Sequence, residues 1–358
     1  MAVIQDLPPE LLYHILDLGS EPARGLSSLP LLDYRQTALV ARSWRRPSQQ
    51  LLLFTVSSLT AAWEHGLSAK SGLFASPYIV RTSILSRYNA SWKLEAGRVR
   101  RLLQLLIARK VKVQGLELDT TAYDDVGLFT GPPSLVAGLQ RLRLNGPLVG
   151  DLQYQHEDAL ELQTLALHYG FWERPIPSTS PLPVFLLGAE RLTRLELYLN
   201  RPEDMDTLKE TLAYVLAPRL RHLKLWCIFT LPPNPTCTLA AFLRACTSLR
   251  SLELLEQERA AGSILALIPT RLILLETAIY LSGDGEDPRG DFGNVRSFLN
   301  LPALADLKRW RISGELSRLS AGWEEWAAAC RARGIEPRGN ERYYTEKDSG
   351  LMLDEGFV

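Results

Sequence analysis

The chain has only four cysteines, five histidines and three methionines in 358 residues, and its formal net charge is zero. Each scarcity removes a class of function. Cys227, Cys237, Cys246 and Cys330 form no CxxC pair and have no histidine at ligand spacing, so neither a zinc-site signature nor a disulfide framework is present. They read as buried free thiols in a reducing compartment. Lysine plus arginine and aspartate plus glutamate are 40 each, which leaves no global field to draw nucleic acid or an anionic membrane. No nucleic-acid or membrane partner is expected. Long apolar spans are also missing. The charge-free stretches 175–189 and 225–243 are broken by Pro175, Pro177, Pro181 and Pro183, and by Pro232, Pro233 and Pro235, so neither reads as a membrane-crossing helix. The opening MAVIQDLPPELL lacks the basic segment of a secretory signal and carries an early acid. A soluble protein of the cytoplasm, the nucleus or both is the expectation.

Catalytic signatures are equally sparse. GxxxxGK[ST], GxGxxG, HExxH and GxSxG are absent, and His14, His65, His156, His168 and His222 are scattered. The segment SGDGEDPRGDFG, 282–293, gathers acids and a chance Asp-Phe-Gly, without the surroundings that a calcium loop or a kinase requires. It reads as a loop between repeated units. Asn89 heads a glycosylation pattern that has no consequence in the cytosol. No catalytic residue, cofactor or metal is assigned, and the chain is not expected to be an enzyme.

What is plentiful is leucine in a fixed pattern. VQGLEL at Val113, LQRLRL at Leu139, LQTLAL at Leu162, LTRLEL at Leu192, LRHLKL at Leu220 and LRSLEL at Leu249 share the form LxxLxL, with valine in the first place of the earliest copy. Looser copies begin at Ile79, Leu274 and Leu307. From Val113 the starts are 26, 23, 30, 28, 29, 25 and 33 residues apart, a spacing typical of stacked repeats. The last two leucines of each copy are two apart, so in a strand both enter the core. Helix-period stretches lie between several copies: VRRLLQLLIARK, DTLKETLAYVLA, TLAAFLRAC and GSILALI. One strand and one helix cannot bury both apolar faces alone, whereas stacked copies share a continuous core. The pattern resembles the leucine-rich-repeat fold over residues 51–335, a degenerate α/β solenoid with a parallel inner sheet and outer helices.

The repeated region is expected to end in a capping helix near 320–333. There Trp323, Trp326, Ala327 and Cys330 form one helical stripe, Glu324 and Glu325 lead, and Arg331 and Arg333 close, as the helix dipole prefers. Gly334 followed by Ile335 suits a left-handed cap with an apolar contact. Residues 336–358 read as a tail.

At the other end, Pro8 or Pro9 fits the first turn of a helix whose apolar stripe is Leu11, Leu12, Ile15 and Leu16. A second helical pattern carries Leu39, Val40 and Trp44 and stops at Pro47. LPPELLYHILDL, followed by LVARSWRR and LLLF, resembles an F-box over residues 7–54, with a spacer, 19–34, longer than is usual in that family. The resemblance implies an all-helical module, 1–50, that docks on the Skp adaptor of a cullin–RING ubiquitin ligase. The repeats behind it would then hold a client protein. The adaptor-binding residues it implies are Leu7, Pro8, Leu11, Leu12, Ile15, Leu16, Leu39, Val40 and Trp44. For the client, strand alternation puts Arg141, Arg143, His168, Arg194, Glu196, Tyr198, Lys224 and Trp226 on the face opposite the core leucines. That face also takes Glu117, Asp119, Asn145 and His222. The alternative is a leucine-rich-repeat interaction scaffold outside ubiquitination, whose N-terminal helices merely cap the repeats.

Overall fold

The computed structural model describes residue 12, the backbone of 81–84 and 115–119, and residues 138–145, 160–168, 186–199, 205, 206, 208, 211–227, 237–254, 261–278, 298–313 and 323–339. The dominant element is a ten-stranded sheet whose spatial order follows the sequence. Its strands are β1 (Arg81–Ile84), β2 (Gly115–Asp119), β3 (Arg141–Asn145), β4 (Thr164–His168) and β5 (Arg194–Leu199). They continue as β6 (His222–Cys227), β7 (Ser251–Leu254), β8 (Leu274–Ala278), β9 (Arg309–Ser313) and β10 (Glu336–Arg338). Every neighbouring pair is parallel. Parallel neighbours need a crossover connection. Between β6 and β7 this contains helix α1 (Thr238–Ala245), between β7 and β8 α2 (Ala261–Leu267), and between β9 and β10 α3 (Trp323–Ala332). The chain is therefore α/β, as the repeat pattern predicts.

The register explains why leucine recurs. Leu142, Leu165, Leu195, Leu223 and Leu252 lie side by side across β3 to β7, and Leu144, Leu167, Leu197, Leu225 and Leu254 form the next row. All ten are at most 2% exposed. The first leucine of each copy, Leu139, Leu162, Leu192, Leu220 and Leu249, is fully buried just ahead of its strand. At about 1.5–3 kcal/mol for each leucine taken from water, these three rows are the chief source of cohesion. Between the first two rows the backbone sets the phase. The carbonyl of Gln140 accepts from the N–H groups of Gln163 and Thr164, that of Thr193 from Arg221 and His222, and that of Arg221 from Arg250 and Ser251. Leu239, Phe242 and Leu243 of α1 and Ile264 and Leu265 of α2 close the other side of the core. Gly262 in α2 admits the Phe298 ring, because a Cβ there would stand 2.5 Å from Phe298 Cε1.

The C-terminal cap follows its expected chemistry. Trp326, Ala327 and Cys330 are fully buried, and Trp323 packs half-buried against the same core. Trp326 meets Trp310 of β9 edge-on, with ring centroids 5.9 Å apart. Gly334 has φ 73°. Ile335 N–H bonds to Cys330 O and Gly334 N–H to Arg331 O, both at 3.0 Å, the paired bonds of a Schellman motif. Ile335 is 4% exposed, which supplies the apolar contact.

Three sequence expectations are corrected. The eighth unit starts at Leu272, not Leu274, because Leu252 pairs with Leu275 and Leu254 with Thr277. The run Leu272-Ile273-Leu274-Leu275 permits either phase by pattern. The core selects the one that buries Leu272 and Leu275, and Thr277 takes a leucine slot by accepting a 3.0 Å bond from Trp310 Nε1–H. The stretch before β6 is not an ordinary α-helix but a π-helical turn, Thr211–Leu216, followed by a 3-10 turn, Ala217–Arg219. Pro218 has no N–H for the carbonyl of Tyr214, and its ring crowds that carbonyl. Finally, Glu336–Arg338 is a strand rather than the start of a tail, pairing with β9. Its proline is tolerated because it sits on an edge strand. The helical module assigned to 1–50 lies outside the described residues except for Leu12, which is helical and fully buried.

Candidate binding face of the sheet

With two rows of leucines pointing into the core, the residues between them project from the opposite face. Parallel strands lie about 4.8 Å apart, so equivalent side chains of successive units touch. One row runs Arg143, Ala166, Glu196, Lys224, Glu253, Glu276, Arg311 and Arg338, and an outer row contains Arg141, Arg194, His222, Arg309 and Glu336. The face is thus charged with both signs, and its charges largely answer one another.

At the centre, Lys224 Nζ lies 2.7 Å from Glu253 Oε1, with side chains 5% and 13% exposed. Arg194 reaches Glu196 at 3.5 Å and Arg311 reaches Glu276 at 3.5 Å. At the β9–β10 edge Glu336 is gripped twice. Arg309 donates to its Oε2 through Nε at 2.9 Å and Nη2 at 2.8 Å, and Arg338 donates to Oε1. Such two-pronged guanidinium–carboxylate contacts are the strong form of the ion pair. Beside Lys224, the paired residues Tyr198 and Trp226 meet edge-on at 5.1 Å, and the ammonium stands 5.8 Å from the Tyr198 centroid. The Tyr198 face turns toward the cation, as its quadrupole prefers. Burial, with the charges of Arg194 and Arg221 beside it, pushes His222 down to about 3. Its imidazole is neutral throughout the physiological range.

The residues expected to meet a client divide into three groups. Arg141 is exposed, while Arg143, Arg194, Tyr198 and Trp226 are half-buried and accessible. Glu196 and Lys224 are instead buried, at 8% and 4%. Alternation tells which face a side chain takes, but not how tightly neighbours crowd it. His168 aligns with Tyr198 in the ladder, and its side chain lies outside the described residues. Of the adaptor-binding residues, Leu7, Pro8, Leu11, Ile15, Leu16, Leu39, Val40 and Trp44 also lie outside them, and only Leu12 is placed. Sequence reasoning missed Glu253, Glu276, Arg309, Arg311, Glu336 and Arg338. Carrying the alternation through LRSLEL and LKRWRI finds Glu253, Arg309 and Arg311. The same alternation puts Glu276 on this face whether the unit starts at Leu272 or Leu274, and the start decides only its row, whereas Glu336 and Arg338 have no periodic signal at all.

Burial raises the thiols of Cys246 and Cys330 to about 12, so both are protonated and poor nucleophiles at neutral pH. Among the described residues no group of three or more side chains is arranged to hold a metal ion, and no helix is long and apolar enough to cross a membrane. The chain matches no protein-family model and no curated protein sequence.

Proposed function

We propose that this chain is the non-catalytic substrate-recognition subunit of a Skp–cullin–F-box ubiquitin ligase. In this reading residues 1–50 dock on the Skp adaptor, and a leucine-rich-repeat solenoid presents a client to the ligase. The observation that carries it is the order of two features in one chain. An F-box-like LPPELLYHILDL and LVARSWRR precede a parallel sheet in which LxxLxL copies supply successive strands. Parallel order of this kind, with a polar sheet face opposite the leucines, is the geometry with which repeat proteins hold large partners. Arg141, Arg143, Arg194, Tyr198 and Trp226 are the proposed client contacts, and arginine, tyrosine and tryptophan are the side chains that anchor interfaces best.

A second reading has one observation in its favour. Leu12, in the middle of the F-box-like stripe, is helical and fully buried, as it would be if the N-terminal helix merely capped a scaffold. Co-purification of the intact chain with the Skp adaptor separates the two. A stoichiometric complex supports the ligase subunit, and no complex at micromolar concentrations supports the scaffold.

A further inference from the structure

The polar face neutralises itself along its middle row, but its N-terminal edge does not. The segments leading into β5, β6 and β7 are 190–194, 219–222 and 247–251. They carry Arg191, Arg194, Arg219, Arg221 and Arg250 against a single carboxylate, Glu190. In a protein whose charges balance overall, this is a pronounced local excess. Arg191, Arg219, Arg221 and Arg250 are all exposed. Among the described residues none of these four meets a carboxylate within salt-bridge distance, and only Arg194 is engaged, by Glu196.

The backbone holds these cations together. Arg221 N–H bonds to Thr193 O and Arg250 N–H to Arg221 O, each at 2.9 Å, so the three segments begin side by side at strand spacing. Arg194 and Arg221 both lie close enough to His222 to act on its titration. The neutral imidazole between them adds no positive charge of its own. The arginines thus project from adjoining backbone segments, and each guanidinium can bring planar, paired donors to an oxyanion.

We infer that the N-terminal edge of β5–β7, built by Arg219, Arg221 and Arg250 with Arg194 and Arg191 beside them, is a binding site for an anionic peptide segment. Its ligands are carboxylates or phosphorylated side chains spaced along an extended chain. Zero net charge argues against a polyanion drawn from a distance, since long-range steering needs an excess over the whole molecule. Recognition here is local. The occupant's identity as a client segment rests on the role proposed above, whereas the anion-binding chemistry does not.

The test is fluorescence anisotropy with the purified full chain and four short labelled probes. These are a glycine–glutamate peptide, a glycine–phosphoserine peptide, a glycine–lysine peptide and a single-stranded DNA oligonucleotide. Binding of at least one anionic peptide, weakening as salt is raised, is the expected result, and a preference between the two identifies carboxylate or phosphate as the source. R221Q/R250Q should bind about tenfold more weakly, and R221K/R250K, which keeps the charge but loses the planar paired donors, should fall between that variant and wild type. R331Q is the control, because Arg331 is exposed on α3, in the crossover between β9 and β10 rather than at the edge of β5–β7, and its affinity should match wild type. An unchanged melting temperature for R221Q/R250Q confirms that only the surface has altered. The inference is overturned if neither anionic peptide binds, if the lysine peptide binds equally, or if the folded R221Q/R250Q variant binds like wild type. Capture of the oligonucleotide alone also overturns it. None of these outcomes depends on whether the chain binds the Skp adaptor.

Discussion

Lys224 and Glu253 set the energetic character of the polar face. An ion pair 2.7 Å long with both side chains nearly out of water is costly to desolvate, so it adds little relative to a well-packed apolar pair, but breaking it takes the counter-charge from a nearly buried group. Removing one partner of such a pair costs about 3–5 kcal/mol. We expect Lys224→Ala to lose a stability of that order in urea unfolding, and Lys224→Met with Glu253→Leu to recover most of it. Full retention of stability by Lys224→Ala would show that Glu253 does not depend on Lys224 for its counter-charge. His222 gives a second, pH-dependent prediction. In the unfolded chain its imidazole takes up a proton below about 6.5, whereas in the folded chain it does so only near 3. Protonation therefore favours unfolding, and stability is lost as pH falls through the window from 6.5 to 3. His222→Gln removes this contribution. Its stability should fall less steeply than wild type between those limits, by up to about 1.4 kcal/mol per pH unit. Parallel pH profiles for the two proteins would contradict that assignment.

At the scale of elements, the strands were readable wherever leucine fell in an unambiguous period, from LQRLRL to LRSLEL. They became unreadable where tertiary context chose between local options. Leu272 to Leu275 offered two phases, and only the neighbouring rows decide between them. Glu336-Pro337-Arg338 has neither alternation nor β-forming side chains. It becomes β10 because the turn at Gly334 aims it along β9 and Arg309 holds Glu336. In the candidate site, alternation found the face that carries Arg194, Tyr198 and Trp226. It could not find the burial of Glu196 and Lys224, which depends on packing between units. The turn itself is testable. A Cβ at Gly334 meets nothing within 4 Å, so the cost of Gly334→Ala is that of φ 73° alone. A left-handed conformation costs an L residue about 1–2 kcal/mol. Gly334→Ala should lower stability by that amount, and Gly334→Asn by less, since asparagine enters this region more readily. Equal stability of Gly334→Ala and wild type would mean that the turn relaxes in solution.

At the scale of the whole molecule, the proposed function needs two surfaces that fail independently. The residues implied by the F-box resemblance lie in 7–44, and the client residues in 141–226, with the leucine core of the sheet running beneath the latter. Sites with no shared partner contribute additively. A substitution at one end should therefore leave the other end's affinity unchanged. Leu12 is a poor choice for the adaptor test because it is fully buried in this chain, and an aspartate there would disturb the helix before any partner was met. Leu7→Asp with Leu11→Asp is the cleaner choice. Each leucine removed from an interface forfeits about 1.5–3 kcal/mol, so the pair should weaken adaptor binding about a hundredfold or more. The reciprocal variant, Arg194→Ala with Tyr198→Ala and Trp226→Ala, should keep the adaptor and lose the client. Pull-down with purified adaptor, followed by proximity labelling in cells, reads both arms. If the adaptor is retained by a folded Leu7→Asp/Leu11→Asp variant, the N-terminal helix is not the docking element. If the triple variant labels the same clients as wild type, the client does not lie on the polar face of the sheet.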